Sequence, residues 1–262
     1  MTDRGFPRRI VCLTEETTET LYLLGEEARI AGISGFTARP PEARREKPRV
    51  SAFTSANFDR IIALKPDLVI GFSDLQAEIA RELIRRGLNV IVFNQRSVEE
   101  ILETILTVAR IVGAEPRGMA LVAELRAGLE AIRTAAARFP HRPRVFFEEW
   151  NDPLISGIRW VDELLEIAGG ETLFPELRSC PDAKSRIVDP RAVRERNPEV
   201  VIASWCGRKV NPESIRAREG WQDIRHIYEV KSTYILQPGP AALTDGVRQL
   251  HAILARVAEQ SQ

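Results

Sequence analysis

The chain has 262 residues, 44% of them hydrophobic and 28% charged, which is ordinary for a soluble globular protein and long enough for two lobes with their own cores. Its 37 basic and 37 acidic residues cancel, so no basic surplus points to nucleic acid and no acidic surplus to a cationic partner. No apolar run reaches the ~20 residues of a membrane span, and the opening MTDRGFPRRIVCL lacks the ~7–15-residue apolar core of a secretory leader. The expectation is a cytoplasmic protein that is not membrane-embedded, or a periplasmic or surface-anchored one if a leader has been removed.

RRIVCL (8–13) has the pattern of a short buried strand. TEETTETLYLLG follows as a helix capped by Thr14 or Thr17, acidic in its first turn and closed by Gly25. ARIAGISG (28–35) is a second strand, and the prolines and charges of TARPPEARREKPRVS mark a loop. NFDRIIALKP is a short helix ended by Pro66, DLVIGF a strand, AEIARELIRRG an amphipathic helix ended by Gly87, and LNVIVFN another strand. Strand and helix alternate, which predicts a mostly parallel sheet with helices on both faces.

From Ser97 the apolar spacing is helical for about forty residues, with Pro116 either starting a second helix or kinking the first. Strands resume in RPRVFFEEW (142–150). The second half then lays over the first. RPRVFFEEW matches RRIVCLTEE, WVDELLEIAGG (160–170) matches TETLYLLG, and PRAVRERNPEVVIASW (190–205) matches NFDRIIALKPDLVIGF (57–72). STYILQPGP (232–240) matches LNVIVFNQ (88–95) as a strand running into a polar loop.

The expected architecture is α/β, with two Rossmann-like lobes of mostly parallel sheet joined by a long rigid linker helix and a ligand cleft between the lobes. Its segments are 1–96 (N-terminal lobe), 97–139 (helical linker) and 140–262 (C-terminal lobe). Ligands of open α/β sheets bind beyond the carboxyl ends of the strands. This expectation aims Phe72 and Trp205 at the cleft from opposite sides, with TEETTE (14–19), EEWNDP (148–153) and QPGP (237–240) at strand ends.

FDRIIALKPDLVIGF, WNDPLISGIRWVDELLEIAGGE (150–171), CG at 206–207 and PGP at 238–240 carry a resemblance over about residues 8–258. They resemble the substrate-binding proteins of cobalamin and ferric-siderophore ABC transporters, the class with a helical backbone, and are most similar to the cobalamin-binding members. The resemblance implies ring-bearing pocket positions at Phe53 and Phe72 in the first lobe and Trp150 and Trp205 in the second. The implied ligand is cobalamin or a related corrinoid, with haem and ferric siderophores as the other candidates. Asn94, Gln95, Asn151 and Gln237 would read a corrinoid's amide periphery. No cofactor is required.

The resemblance also implies an acid on each lobe that docks on permease arginines. Asp59 meets that expectation. Arg191 stands at the second position with the opposite sign, which argues against an ABC permease partner; Glu195 is the alternative acid nearby. Together with the missing leader, this leads to the expectation of a cytoplasmic carrier or sensor outside transport, the alternative being an extracytoplasmic transport receptor.

The remaining chemistry is sparse. Three scattered histidines (His141, His226, His251) make no metal set, no DxHxxG segment offers a histidine to cobalt, and no phosphate-binding glycine loop occurs. Cys12, Cys180 and Cys206 form no CxxC pair. Cys206 is the one candidate nucleophile, but no histidine base falls at a matching strand end. Glu16 and Glu149 are a possible acid–base pair, weighed against a plain helix-capping role that suits them better. The expectation is a binding protein rather than an enzyme.

Overall fold

Apolar runs without alternation make strands covered on both faces. The computed structural model describes residues 5–260. In its first unit, residues up to Gln95 together with Glu99–Glu124, the elements are β1 (Ile10–Cys12), α1 (Glu15–Leu23), β2 (Ile30–Ser34), α2 (Ala43–Glu46), β3 (Arg49–Ser51), α3 (Phe58–Ala63), β4 (Leu68–Phe72), α4 (Ala77–Arg85) and β5 (Val90–Phe93), followed by α5 (Val98–Ile111) and the start of α6 (Glu115–Ala136). The sheet order is β3-β2-β1-β4-β5, and its pairs are parallel. One face packs Ile10, Cys12, Ile33 and Ile70 against Leu21 of α1 and Val108 of α5. The other packs Val11, Leu13 and Val69 against Ile61, Ile79 and Leu83 of α3 and α4. Cys12 is fully buried, and burial pushes its thiol up to about 12.

The second unit comprises Arg96–Val98 and the chain from Leu125 onward. It contains β6 (Arg144–Asn151), β7 (Leu154–Ser156), α7 (Arg159–Ile167), β8 (Glu171–Thr172), α8 (Pro190–Glu195), β9 (Val200–Ala203), α9 (Pro212–Arg216), β10 (His226–Glu229), α10 (Ser232–Ile235) and α11 (Val247–Gln260). The order is β10-β9-β6-β7, with β8 also beside β6. Among the described strands of this unit only β7 runs antiparallel; it pairs with the carboxyl half of β6, while β8 lies along the amino half. Both sheets therefore have one hub strand, β1 or β6, whose neighbour β4 or β9 arrives through a helix and a proline. The two-lobed α/β architecture read from the sequence is present.

The repeated phrase has a physical cause. Each helix before the proline ends on a non-glycine residue with positive φ, Lys65 (49°) in one unit and Asn197 (53°) in the other. Pro66 and Pro198 follow, then an acid that clamps the start of the hub strand. Asp67 accepts the backbone N–H groups of Arg8 (2.7 Å) and Arg9 (3.0 Å). Glu199 accepts that of Arg144 (2.9 Å). Arg9 and Arg144 close the loop the other way, donating their Nε–H to the carbonyls of Leu64 (2.9 Å) and Asn197 (2.8 Å). Proline removes a donor, the acid supplies an acceptor, and the same solution appears once per unit.

Several expectations are corrected. The stretch expected to be loop, 37–51, holds a short helix and the edge strand β3; a three-residue strand beside a run of charges carries too little pattern to be seen. STYILQPGP is not a strand. It begins α10, and the strand is the preceding HIYE. Pro238 and Pro240 cannot donate to a ladder, so Gln237 lies in a turn after a helix and not at a strand end. The helical stretch is two helices. Gly113 turns between them with φ 72°, a conformation that favours glycine, and Pro116 sits in the first turn of α6. Phe72 and Trp205 are also out of register. Leu68 and Val200 both follow the proline by two and pair with Ile10 and Val145 at the same place on their hub strands. Phe72 therefore corresponds to Ser204, and Trp205 lies one residue further on, on the opposite face.

Asp67→Ala is expected to lower the unfolding free energy by about 1–2 kcal/mol, the scale of two charge-assisted bonds on an exposed group, and Glu199→Ala by a similar amount. Urea denaturation with an unchanged slope checks this; a shift below about 0.5 kcal/mol for both would contradict the clamp.

Candidate functional site

In doubly wound sheets the ligand edge is the carboxyl end at the point where connections leave to opposite sides. In the first unit that point lies between β1 and β4, and one side chain ties it together. Gln76 is fully buried. Its Oε1 accepts the Phe72 N–H (3.0 Å), and its Nε2 donates to the Phe53 carbonyl (2.9 Å). Gly71 has no side chain to obstruct it: a Cβ there would lie 2.7 Å from Gln76 Oε1. Ser73, at φ 66°, turns the chain sharply after Phe72, and its hydroxyl oxygen accepts the Leu75 N–H (3.2 Å).

The first turn of α1 brings acids to this edge. Glu15, Glu16 and Glu19 are all buried. Glu15 accepts the Ala38 N–H (2.9 Å), and Arg39 donates to Glu19 (2.8 Å), so the loop after β2 is held against α1. Thr14 donates to Glu16 (2.5 Å). Desolvation by burial is the main cause that pushes both Glu15 and Glu16 up to about 7. The capping reading holds in position for Glu16, which lies in the first turn of α1 but is buried; it fails for Glu149, which lies within strand β6 and is bonded to Arg186.

The expected ring positions fall differently from one another. Phe53 is half-buried and Phe72 is buried, with 5% exposure. The apolar side chains that do face outward here are Phe36 (51%) and Leu75 (62%), in the loop after β2 and the turn after β4. Neither was expected from the sequence; a phenylalanine between Gly35 and a proline-rich loop was the available signal. Asn94 is exposed and Gln95 buried just after β5. Asp59 is the second residue of α3, highly exposed and paired with Arg86 (3.0 Å). It lies on an open groove with Arg49, Ser51 and Asn57, which Phe53 and Phe72 do not line. Arg191 is the second residue of α8, so it does match Asp59 in position; its guanidinium is 3.4 Å from Glu219, and both groups are exposed.

In the second unit the corresponding point lies between β6 and β9, and a charge holds it. Glu148 is completely buried. Arg218 donates to both of its oxygens (2.6 and 2.9 Å), and the Trp205 indole N–H donates to it as well (3.1 Å). Trp205 is thereby fixed in the core, 6% exposed, among Val201, Ala203 and Leu154. Trp150 is half-buried; its indole N–H donates to the Asp152 carbonyl (2.9 Å), and the Arg208 guanidinium lies 5.7 Å from its ring centre. Asn151 ends β6 with its side chain half-buried, and Gln237 is half-buried after α10. A second pair, Glu149 with Arg186 (2.6 and 3.1 Å), sits beside the first.

Cys206 is exposed in the turn after β9, and Cys180 is half-buried. The histidines lie elsewhere. His141 binds Glu199 (3.0 Å), a ring nitrogen of His251 faces the Ala168 carbonyl (3.1 Å) with its ring stacked on Phe139, and His226 begins β10. Among the described residues no helix is long and apolar enough to cross a membrane.

Comparison with known proteins gives a consistent picture. A model of the periplasmic binding protein family matches residues 10–231. The uncharacterized ABC transporter substrate-binding lipoprotein YvrC of Bacillus subtilis is 25% identical over 93% of this chain and 79% of its own length. The vitamin B12-binding protein of Vibrio campbellii is 28% identical over 89% and 85%. Among solved structures, the periplasmic heme-binding protein RhuT from Roseiflexus sp. RS-1 superposes with a TM-score of 0.76 at 23% identity, covering 94% of this chain and 99% of that one, which shows the shared fold.

Two outcomes follow from the buried charges. Arg218→Ala leaves Glu148 buried without its partner and should destabilise by about 3–5 kcal/mol in chemical denaturation. Glu15 and Glu16 have folded pKa values near 7, above the ordinary 4.5. The folded state therefore holds more protons than the unfolded between those values, and stability should fall as pH rises from about 4.5 through 7. Glu16→Gln should flatten that decline and raise the thermal midpoint at pH 8; an unchanged pH profile would contradict the assignment.

Proposed function

This chain belongs to the periplasmic binding protein family, and we propose that it is a transport-type substrate-binding protein whose ligand is a corrinoid. The carboxyl edges of its two sheets carry the reading. They present rings and apolar groups (Phe36, Phe53, Leu75, Trp150) beside polar ones (Asn94, Asn151). Broad apolar contact with a few orienting hydrogen bonds suits a large, flat, amide-fringed macrocycle.

The charges at these edges separate the ligand candidates. Haem brings carboxylates and an iron that takes a histidine, thiolate, methionine or tyrosine ligand. In the first unit Arg39 is already bonded to Glu19 (2.8 Å), so a haem carboxylate would have to compete for it. The histidines stand away from both strand-end points. A corrinoid needs neither a cationic cradle nor an axial histidine from the protein. Phe72 and Trp205 act from beneath in this scheme, shaping the edges they support, while Phe36 and Leu75 take the contact role first expected of Phe72.

The expectation of a cytoplasmic carrier outside transport finds no support among the relatives, whose names speak of a transporter lipoprotein and of vitamin B12 binding. The receptor alternative is the better reading. A permease that reads the second residue of α3 and α8 meets an acid at Asp59 and a base at Arg191, so its contact with the second unit is of a different kind from its contact with the first.

Titration with cyanocobalamin, cobinamide and haem, followed by tryptophan fluorescence and calorimetry, tests the reading. Both corrinoids should bind at micromolar concentration or tighter and haem at least about tenfold more weakly, a difference of ~1.4 kcal/mol. Phe36→Ala or Trp150→Ala should weaken corrinoid binding about fivefold or more, the scale of one lost aromatic contact. Preference for haem, or no corrinoid binding, would overturn it.

A further inference from the structure

The first turns of α1 put three carboxylates inside the protein. Glu15, Glu16 and Glu19 have exposures of 6%, 4% and 7%. Glu15 and Glu19 are four residues apart and so share one face of the helix. Glu16 is only half satisfied. Thr14 donates to its Oε1 (2.5 Å), while its Oε2 is buried and has no hydrogen-bond partner among the described residues. A carboxylate cut off from water with one oxygen unmatched is costly to keep ionised.

What the cluster holds is a loop. The segment after β2 is fixed at one end by Gly35, whose N–H donates to the Ser51 carbonyl (2.7 Å), and at the other by Pro40, whose carbonyl accepts the Ala43 N–H of α2 (3.1 Å). Between those ends Glu15 accepts the Ala38 N–H (2.9 Å), and Arg39 donates to Glu19 (2.8 Å). Phe36, 51% exposed, lies on the same segment. Its position is set in part by two bonds to buried acids.

The charges around the cluster do not balance. On α1 the three acids face one another. The loop contributes Arg39, bonded to Glu19. The α2 segment contributes Arg44, which faces Glu15, and Lys47, which faces Cys12. From β1 comes Cys12 itself, a neutral thiol beside Glu16. Neither Glu15 nor Glu16 has an ion pair among the described residues. Desolvation, with the neighbouring carboxylates adding to it, pushes both up to about 7. If the loop swings away, water reaches the acids and they return toward the ordinary 4.5. The closed loop therefore binds protons that the open loop gives up.

We propose that Glu15, Glu16 and Glu19 form a proton-operated latch on the loop after β2. With protons held in the cluster, the loop stays against α1 and keeps Phe36 in place. When they are lost to solvent, the acids hydrate and the loop is released. The latch is a property of the first unit alone. Its consequence, weaker ligand binding above neutral pH, rests on the corrinoid reading and on contact at Phe36.

Hydrogen exchange followed by nitrogen–proton NMR of the full chain reads the latch at the Ala38 N–H. The buried Leu13 N–H, bonded to the Ile70 carbonyl (2.8 Å), reports global opening. After correction for the intrinsic rate, the opening constant at Ala38 should exceed that at Leu13 and rise about tenfold or more from pH 6 to 8. Combining Glu15→Gln with Glu16→Gln keeps an acceptor at each place and removes both ionisable groups; it should hold the rise within about twofold. An opening constant at Ala38 that equals that of Leu13, stays flat with pH in the parent, or rises as steeply in the double variant would overturn the latch. Cyanocobalamin should bind the parent about threefold more weakly at pH 8 than at pH 6, and the double variant equally at both. Opening that depends on pH beside binding that does not would leave the latch standing and count against Phe36 as a ligand contact. No binding of cyanocobalamin at either pH would count against the corrinoid reading alone.

Discussion

A fully buried carboxylate at the end of a hub strand is the constraint around which the second unit is built. Glu148 has no exposed surface, and an uncompensated charge in that position would cost several kcal/mol. Arg218 must therefore reach it, which draws the chain around α9 back over the sheet edge, and the Trp205 indole N–H must turn inward. The tryptophan becomes a strut.

The first unit answers the equivalent demand with an amide. Gln76 bonds the Phe72 N–H and the Phe53 carbonyl without a charge to neutralise, so this edge is free to hold acids on α1. The amino ends of the two sheets, by contrast, use one identical device: a positive-φ residue, a proline, and an acid clamping the hub strand. Stability is repeated at one end and difference is placed at the other. That division lets one topology carry an edge tied by a buried amide in one unit and an edge tied by a buried ion pair in the other.

Most of the architecture was legible because parallel strands buried on both faces read as unbroken apolar runs, as in DLVIGF and EVVIAS. The short pieces were not. RVS is three residues at an edge, and HIYE follows a charged stretch that drew attention to STYILQPGP instead. The site was legible only in outline. PDLVIGF and PEVVIASW differ in length by one residue, and with a period of two that single step puts Phe72 and Trp205 on opposite faces. Phe36 and Leu75 were passed over because exposure of a lone apolar residue in a loop has no periodic signal. Gln76, Arg186 and Arg218 take their meaning from partners distant in sequence, which no local pattern records.

Hydrogen–deuterium exchange with and without saturating cobinamide tests most directly whether the ligand lies on these carboxyl edges. The account predicts slowed exchange at residues 35–39 and 72–76 of the first unit and 150–156 and 204–208 of the second, with the amino-end clamps at 65–67 and 197–199 unchanged. Protection confined to the clamps or to the groove that carries Asn57 and Asp59, or no change anywhere, would contradict it.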